Sequence, residues 1–275
     1  MVNAFRAGAI VAVMAAVIGW FMVLRRQTFA GHTLSVVGFP GASGATLLGI
    51  SAGIGYFAFC VGAALVIAAL PRAGQHRQSE ESALTGTLQA FLLACGYLFV
   101  ALYKGFLNGV NALLFGSFLG ITNGQVTLLL VVAVAALAGL AVVGRPLLFA
   151  SIDPHVAAAR RVPVRLLSVL FLVLLGAATA EAAQITGALL VFALLVLPAA
   201  TAQAITARPA VSLPLAVVIA LVVTWLGLLT AYYSPYPVGF YVSTFAFGTY
   251  CLVRLGRHLV DVTDRRTSAL LEATR

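Results

Sequence analysis

Residues 177–184 read Ala177-Ala178-Thr179-Ala180-Glu181-Ala182-Ala183-Gln184 and lie between two apolar runs, 166–180 and 186–206. Glu181 is the one carboxylate among the hydrophobic stretches. The other six acids, Glu80, Glu81, Asp153, Asp261, Asp264 and Glu272, fall in polar segments or at their edges. A carboxylate near a bilayer is costly, and it marks either a polar pathway or a helix end that reaches water. Both readings are open for Glu181 from the sequence.

Outward from this stretch the pattern repeats. Of 275 residues, 62% are hydrophobic and 8% charged. No soluble domain has that balance. A transmembrane helix needs about 20 apolar residues, and such runs occur near 7–24, 34–50, 52–70, 82–102, 124–143, 166–180, 186–206, 211–230 and 238–256. The fold class expected is all-α, a polytopic membrane bundle of eight or nine spans. One transmembrane domain covers 1–260 and a polar tail covers 261–275. The second run is short and carries Gly38, Pro40, Gly41, Gly44 and Gly49. It reads as an interrupted segment, tolerated only where protein or a cavity satisfies its backbone. The first run imitates a signal peptide but lacks a small-residue cleavage site, and further spans follow it. Cys60, Cys95 and Cys251 all lie in apolar runs without paired spacing, and read as small buried hydrophobes.

The net charge of +9 does not point to nucleic acid, because the basic residues sit in short loops and not on one face. With nine spans and a cytoplasmic C-terminus, only Arg6 and Lys104 of the 16 basic residues fall outside, leaving fourteen inside. This bias predicts a multi-pass plasma (inner) membrane protein with its C-terminus in the cytoplasm. The segment from Lys104 to Gly124 is then external, with an interfacial helix expected around Ala112-Leu113-Leu114-Phe115. His76, His155 and His258 read as solvated loop residues beside arginines, and Glu80-Glu81 as charges suited to a helix N-terminus.

The longest inner loop, 145–165, contains Ser151-Ile152-Asp153-Pro154. Asp153 is a good N-cap and Pro154 a good first helical residue. A short helix over His155 to Arg161 is expected, stopped before Pro163. From the residues alone this is either a docking element or an ordinary structured loop.

The order and spacing of several motifs resemble the permease subunit of ABC importers for zinc, manganese or iron(II). They include Val23-Leu24-Arg25-Arg26-Gln27-Thr28-Phe29-Ala30-Gly31-His32, Leu34-Ser35 and Phe39-Pro40-Gly41. Next come Leu114-Phe115-Gly116-Ser117-Phe118-Leu119-Gly120 and Ser151-Ile152-Asp153-Pro154-His155-Val156-Ala157, followed by Val162-Pro163-Val164-Arg165. Gly187-Ala188-Leu189-Leu190-Val191 leads on to Leu195-Val196-Leu197-Pro198-Ala199-Ala200-Thr201-Ala202, and Tyr232-Tyr233 with Pro237 and Gly239 closes the pattern.

The resemblance implies a second permease copy, most simply a homodimer, an ATP-binding ABC subunit and an extracytoplasmic metal-binding protein. It implies no cofactor in this chain, since ATP is used by the partner ATPase. Asp153, Pro154, His155, Ala158, Ala159, Val162 and Pro163 would form the ATPase-coupling segment. His32, Ser35 and Glu181 would lie on the metal pathway, with His32 as the metal contact. The family usually carries an aspartate and, four residues on, a histidine where this chain has His32 and Val36. It also usually has glycine where this chain has Arg161. Neutral imidazole suits zinc, manganese and iron(II), the softer ions best, so zinc is the first cargo expected and manganese the second. For His32 the alternative is a membrane-end histidine bonded to a backbone carbonyl.

No Walker-type phosphate loop is present, so a permease of this kind depends on a separate ATPase. No Ser/His/Asp or HExxH arrangement supports an enzyme. A secondary transporter or channel for a small solute would need inverted repeats and intramembrane coupling carboxylates, and neither is seen. A siderophore or vitamin ABC permease is a nearer competitor, but such chains are typically longer.

Overall fold

A computed structural model describes residues 2–69, 78–103 and 120–273, and side chains are described for these except 78–82, 185, 188–189 and 260–273. Among the described residues the chain is a bundle of ten helices without strands. They are α1 (Val2–Leu24), α2 (Thr28–Leu47), α3 (Ala52–Ala69), α4 (Gln78–Leu102), α5 (Asn123–Ile152), α6 (Pro154–Ala159), α7 (Val164–Thr186), α8 (Ala188–Ile205), α9 (Pro209–Tyr232) and α10 (Val238–Ala273). Every apolar run predicted from sequence is a helix. The interfacial helix expected around residues 112–115 lies outside the described residues, as do His76, Arg72, Arg77 and Lys104.

Seven of the described helices are long and apolar enough to cross a membrane, in keeping with a polytopic bundle. Two further helices, α2 and α8, lie among them. Helix α2 packs against α3, α4, α7 and α8, and α8 packs against α1, α2, α7, α9 and α10. Helices covered by protein need less hydrophobic surface than helices covered by lipid.

The second run is also not interrupted: α2 is one continuous helix with Pro40 inside it. Its glycines serve close packing. A Cβ on Gly38 would collide with the Tyr56 ring, and one on Gly41 would strike the Gly55 carbonyl and come within 2.7 Å of Phe59 Cβ. Small residues let backbones approach where no hydrophobic force between helices is available.

Helix α7 is longer than the run 166–180 because it continues through Glu181 to Thr186. A charge reads in sequence as a span end, but the Ala-rich stretch around it has high helix propensity, and the helix stops only at Gly187, whose φ of 80° favours glycine. Likewise α5 runs through Arg145 and Pro146 to Ile152, so much of the expected loop 145–165 is helix. At the other end of the chain, α10 carries its backbone from Val238 through to Ala273.

Two helix ends use the same device without glycine. Arg26 N–H bonds the Val23 carbonyl and Gln27 N–H the Met22 carbonyl, both at 3.0 Å. Arg161 N–H bonds Ala158 and Val162 N–H bonds Ala157, again both at 3.0 Å. These paired bonds form Schellman caps, and their central residues, Arg26 and Arg161, have φ of 57° and 60°. The Arg26 cap lets α1 turn into α2 within three residues.

Candidate translocation site and coupling segment

Helix α2 places His32 one turn from its start. The imidazole packs on Phe192 of α8, ring centroids 4.6 Å apart. Its Nδ1 is buried and makes no hydrogen bond. Ser35 is fully buried, and its hydroxyl donates to the His32 carbonyl at 2.7 Å. The proton of Ser35 is therefore committed to the helix, and its lone pairs alone are left for a water or an ion. Thr33 donates to Gln89 of α4 at 2.9 Å, which fixes this turn of α2 from a second side.

Glu181 is 2% exposed. This removes the reading of a water-exposed helix end. Gln184, one turn on, donates to its Oε2 at 3.3 Å and to the Ala180 carbonyl at 3.4 Å. Gln184 is pressed in turn against α3, where a Cβ on Gly53 would lie 2.7 Å from its Oε1. One long amide bond is little compensation for a buried carboxylate.

The packing separates His32 from Glu181. Cys60 of α3 donates through Sγ to the Leu34 carbonyl, and a Cβ on Gly176 of α7 would sit 2.9 Å from the Cys60 carbonyl. Leu34, Cys60 and Gly176 therefore share one level. Helices α2 and α7 both run antiparallel to α3, as the pairs Gly41–Gly55 and Gln184–Gly53 show. His32 lies two residues before this level and Glu181 five beyond it, an axial separation of about 10 Å at 1.5 Å per residue. The two residues thus sit at different levels of the bundle. No group of three or more His, Cys, Asp or Glu able to hold a metal exists among the described residues.

The short helix α6 forms as its residues dictate, over Pro154–Ala159 and not 155–161. The Asp153 carboxylate accepts from Val156 N–H at 2.9 Å, and Pro154 opens the helix. Only Ala157 is buried; Pro154, His155, Val156, Ala158 and Ala159 are exposed, as is Pro163, while Val162 packs on the core.

Arg25, which the sequence offered only as one of many inner arginines, ties this region together. Its Nη1 donates to Ser151 of α5 at 3.0 Å, its Nη2 to Ser168 of α7, and its Nε to Gln27 at 3.3 Å. The guanidinium lies over the Phe171 ring, 5.5 Å from its centroid. The bonded serines lie 126 and 143 residues further along the chain, beyond the reach of local sequence reading. Nearby, Gln203 of α8 donates to the Trp20 carbonyl and the Trp20 indole donates to Ser212 of α9, each at 2.9 Å. This end of α1 is thus bonded to four other helices.

Comparison with known proteins agrees with this architecture. The family model described as "ABC 3 transport family" matches residues 1–255. The manganese transport system membrane protein MntC of Halalkalibacterium halodurans is 30% identical over 190 residues, covering 68% of this chain and 63% of that protein. The chelated iron transport system membrane protein YfeC of Yersinia pestis is 30% identical over 234 residues, covering 85% of this chain and 78% of that protein. Among solved structures, PsaBC from Streptococcus pneumoniae in complex with Fab superposes with a TM-score of 0.79 at 25% identity, over 91% of this chain and 89% of that one. A multi-pass helical bundle matched along nearly its whole length in this way belongs to the ABC 3 transport family.

Proposed function

We propose that this chain is the membrane permease of an ATP-driven importer of a divalent transition metal. Two copies would form the path, with a separate ATPase at the α6 end and an external metal-binding protein at the other. The observation that carries the reading is the match of a transport-family model over residues 1–255, in a bundle whose α2 holds an imidazole with a buried, unbonded Nδ1. The donor set supports transport over storage. An ion in transit must bind weakly enough to leave, and His32 with water and backbone oxygens makes a weak site. Glu181, about 10 Å away by helical rise, serves as a separate station and as an attraction for cations. The exposed face of α6 is the docking surface for the ATPase.

The cargo is judged on two arguments. Imidazole favours zinc over harder ions. The relatives named for manganese and iron weigh more, because they reflect the whole path, so manganese moves ahead of zinc. The C-terminus is cytoplasmic and the membrane is the plasma membrane, on the charge bias of the loops.

The test is uptake of radiolabelled manganese by vesicles that hold this chain with its ATPase. Accumulation that requires ATP and is competed by unlabelled manganese more strongly than by zinc is the expected result. ATP-independent accumulation would favour a secondary transporter instead. Ala158→Glu, on the exposed face of α6, should lower ATPase co-purification and uptake while the bundle stays folded.

A further inference from the structure

We propose that Arg25 is the positioning residue that carries movement of the α6 segment to the start of α2, where His32 sits. The inference rests on the transport reading above and deepens it.

The two serines that accept from the Arg25 guanidinium bracket α6 on both sides. Ser151 lies two residues before Asp153, the N-cap of α6. Ser168 lies in the first turns of α7, which begins after Pro163. Ser151 is itself oriented, because its hydroxyl donates to the Leu147 carbonyl and so turns its lone pairs to the arginine. Any displacement of α6 moves the end of α5 and the start of α7, and with them both acceptors. On the other side, Arg25 ends α1. Arg26 and Gln27 complete the Schellman turn, and Gln27, the residue before α2, is bonded to Arg25 Nε. His32 follows one turn later. One planar side chain thus links three helix ends and the turn into α2.

The chemistry asks for arginine in particular. Its fork presents separate N–H groups to Ser151, Ser168 and Gln27 at once, while its face lies on Phe171. A lysine would keep the charge but act as a single point and lose the simultaneous bonds. The intact bundle also keeps α1 in place through Trp20, Ser212 and Gln203, so the fold does not hang on Arg25 alone.

The experiment uses the assembled transporter in proteoliposomes, with two readouts in wild type, Arg25→Lys, Arg25→Ala, Ser151→Ala and Ser168→Ala. The first is manganese moved per ATP hydrolysed. The second, independent of cargo, is the nucleotide-dependent labelling rate of a cysteine placed at Phe29, which is exposed on the first turn of α2, in a chain lacking Cys60, Cys95 and Cys251. Arg25→Ala should keep ATP hydrolysis within about twofold, lower metal per ATP by at least tenfold and abolish the nucleotide-dependent change at position 29. Arg25→Lys should fall between. The serine variants should each show a smaller loss and add nothing in the Arg25→Ala background, as expected for one network. A normal ratio and a normal labelling change in Arg25→Ala, with only the amount of folded protein reduced, would overturn the proposal. Should Arg25→Ala fail to assemble, the double Ser151→Ala, Ser168→Ala variant decides in the same way. A wild-type transporter that moves no metal yet shows the nucleotide-dependent change at position 29 would count against the cargo and leave the role of Arg25 standing.

Discussion

Among the described residues, His32 and Glu181 are ionisable groups whose chemistry is out of keeping with their surroundings. His32 keeps a buried Nδ1 without a hydrogen bond, and Glu181 is buried beside one long amide contact. Both arrangements leave polar atoms under-satisfied, which stability alone does not favour. Under the proposed function a cation path would account for them, since each group would then have an intermittent partner. His32→Ala should lower metal uptake by at least tenfold at matched expression. Its loss of stability should stay near 1 kcal/mol, because the contact given up is one aromatic pair with Phe192. His32→Asp, the residue type usual in the family, should retain transport and shift competition further towards manganese, which prefers oxygen ligands. Normal uptake of both metals by His32→Ala would remove this residue from the mechanism. Sequence reading could find both residues, because an ionisable group in an apolar run is visible without coordinates. It could not find that they are offset by about 10 Å along the helix axes, since that follows from how α2 and α7 pack on α3.

The short helix α6 shows what local rules decide and what they miss. Its start was legible, because Asp-Pro supplies an N-cap and a first helical residue, and the Asp153–Val156 bond is present. Its end was not, because the cap centres on Arg161 where a glycine would be the usual signal. The Schellman bonds from Arg161 and Val162 are formed nonetheless, with Arg161 held at φ 60°. An L-residue there costs about 1 kcal/mol or a little more relative to glycine. Arg161→Gly should therefore stabilise this segment by about 1 kcal/mol, read as a raised midpoint of thermal unfolding. A lowered midpoint would mean that the arginine side chain contributes more than its backbone costs. Boundaries were misplaced elsewhere for related reasons. Glu181 looked like a span end because charge is normally excluded from lipid, but burial against protein lifts that rule for α7. Pro40 and the glycines of α2 looked like a break, yet the same glycines let α2 approach Tyr56 and Gly55 within an unbroken helix.

At the scale of the molecule, an all-helical membrane bundle was legible because 62% of the residues are hydrophobic and they fall in continuous runs of helix-spanning length, unlike the short alternating strands of a barrel. The number of lipid-facing helices was not legible, since it depends on which helices others cover. The bundle nonetheless has two distinct ends. One gathers the Arg25 network, α6 and the Gln203–Trp20–Ser212 bonds. The other brings Asn3 to the Ile121 carbonyl, beside the Thr122 capping box that starts α5. The basic residues Arg25, Arg26, Arg160, Arg161, Arg165 and Arg208 all belong to helix ends or turns at the first of these. Positive charge is retained on the cytoplasmic side of membrane proteins, so the α6 end should face the cytoplasm, where ATP is available to a partner. Single cysteines at Arg208 and Asn123, both exposed, in a chain lacking the three native cysteines, would test this with a membrane-impermeant maleimide on intact cells. Labelling at position 123 and protection at position 208 until the membrane is opened is the expected result. The reverse pattern would place α6 outside, away from any ATPase, and would break the link between the short helix and energy coupling while leaving the family assignment intact.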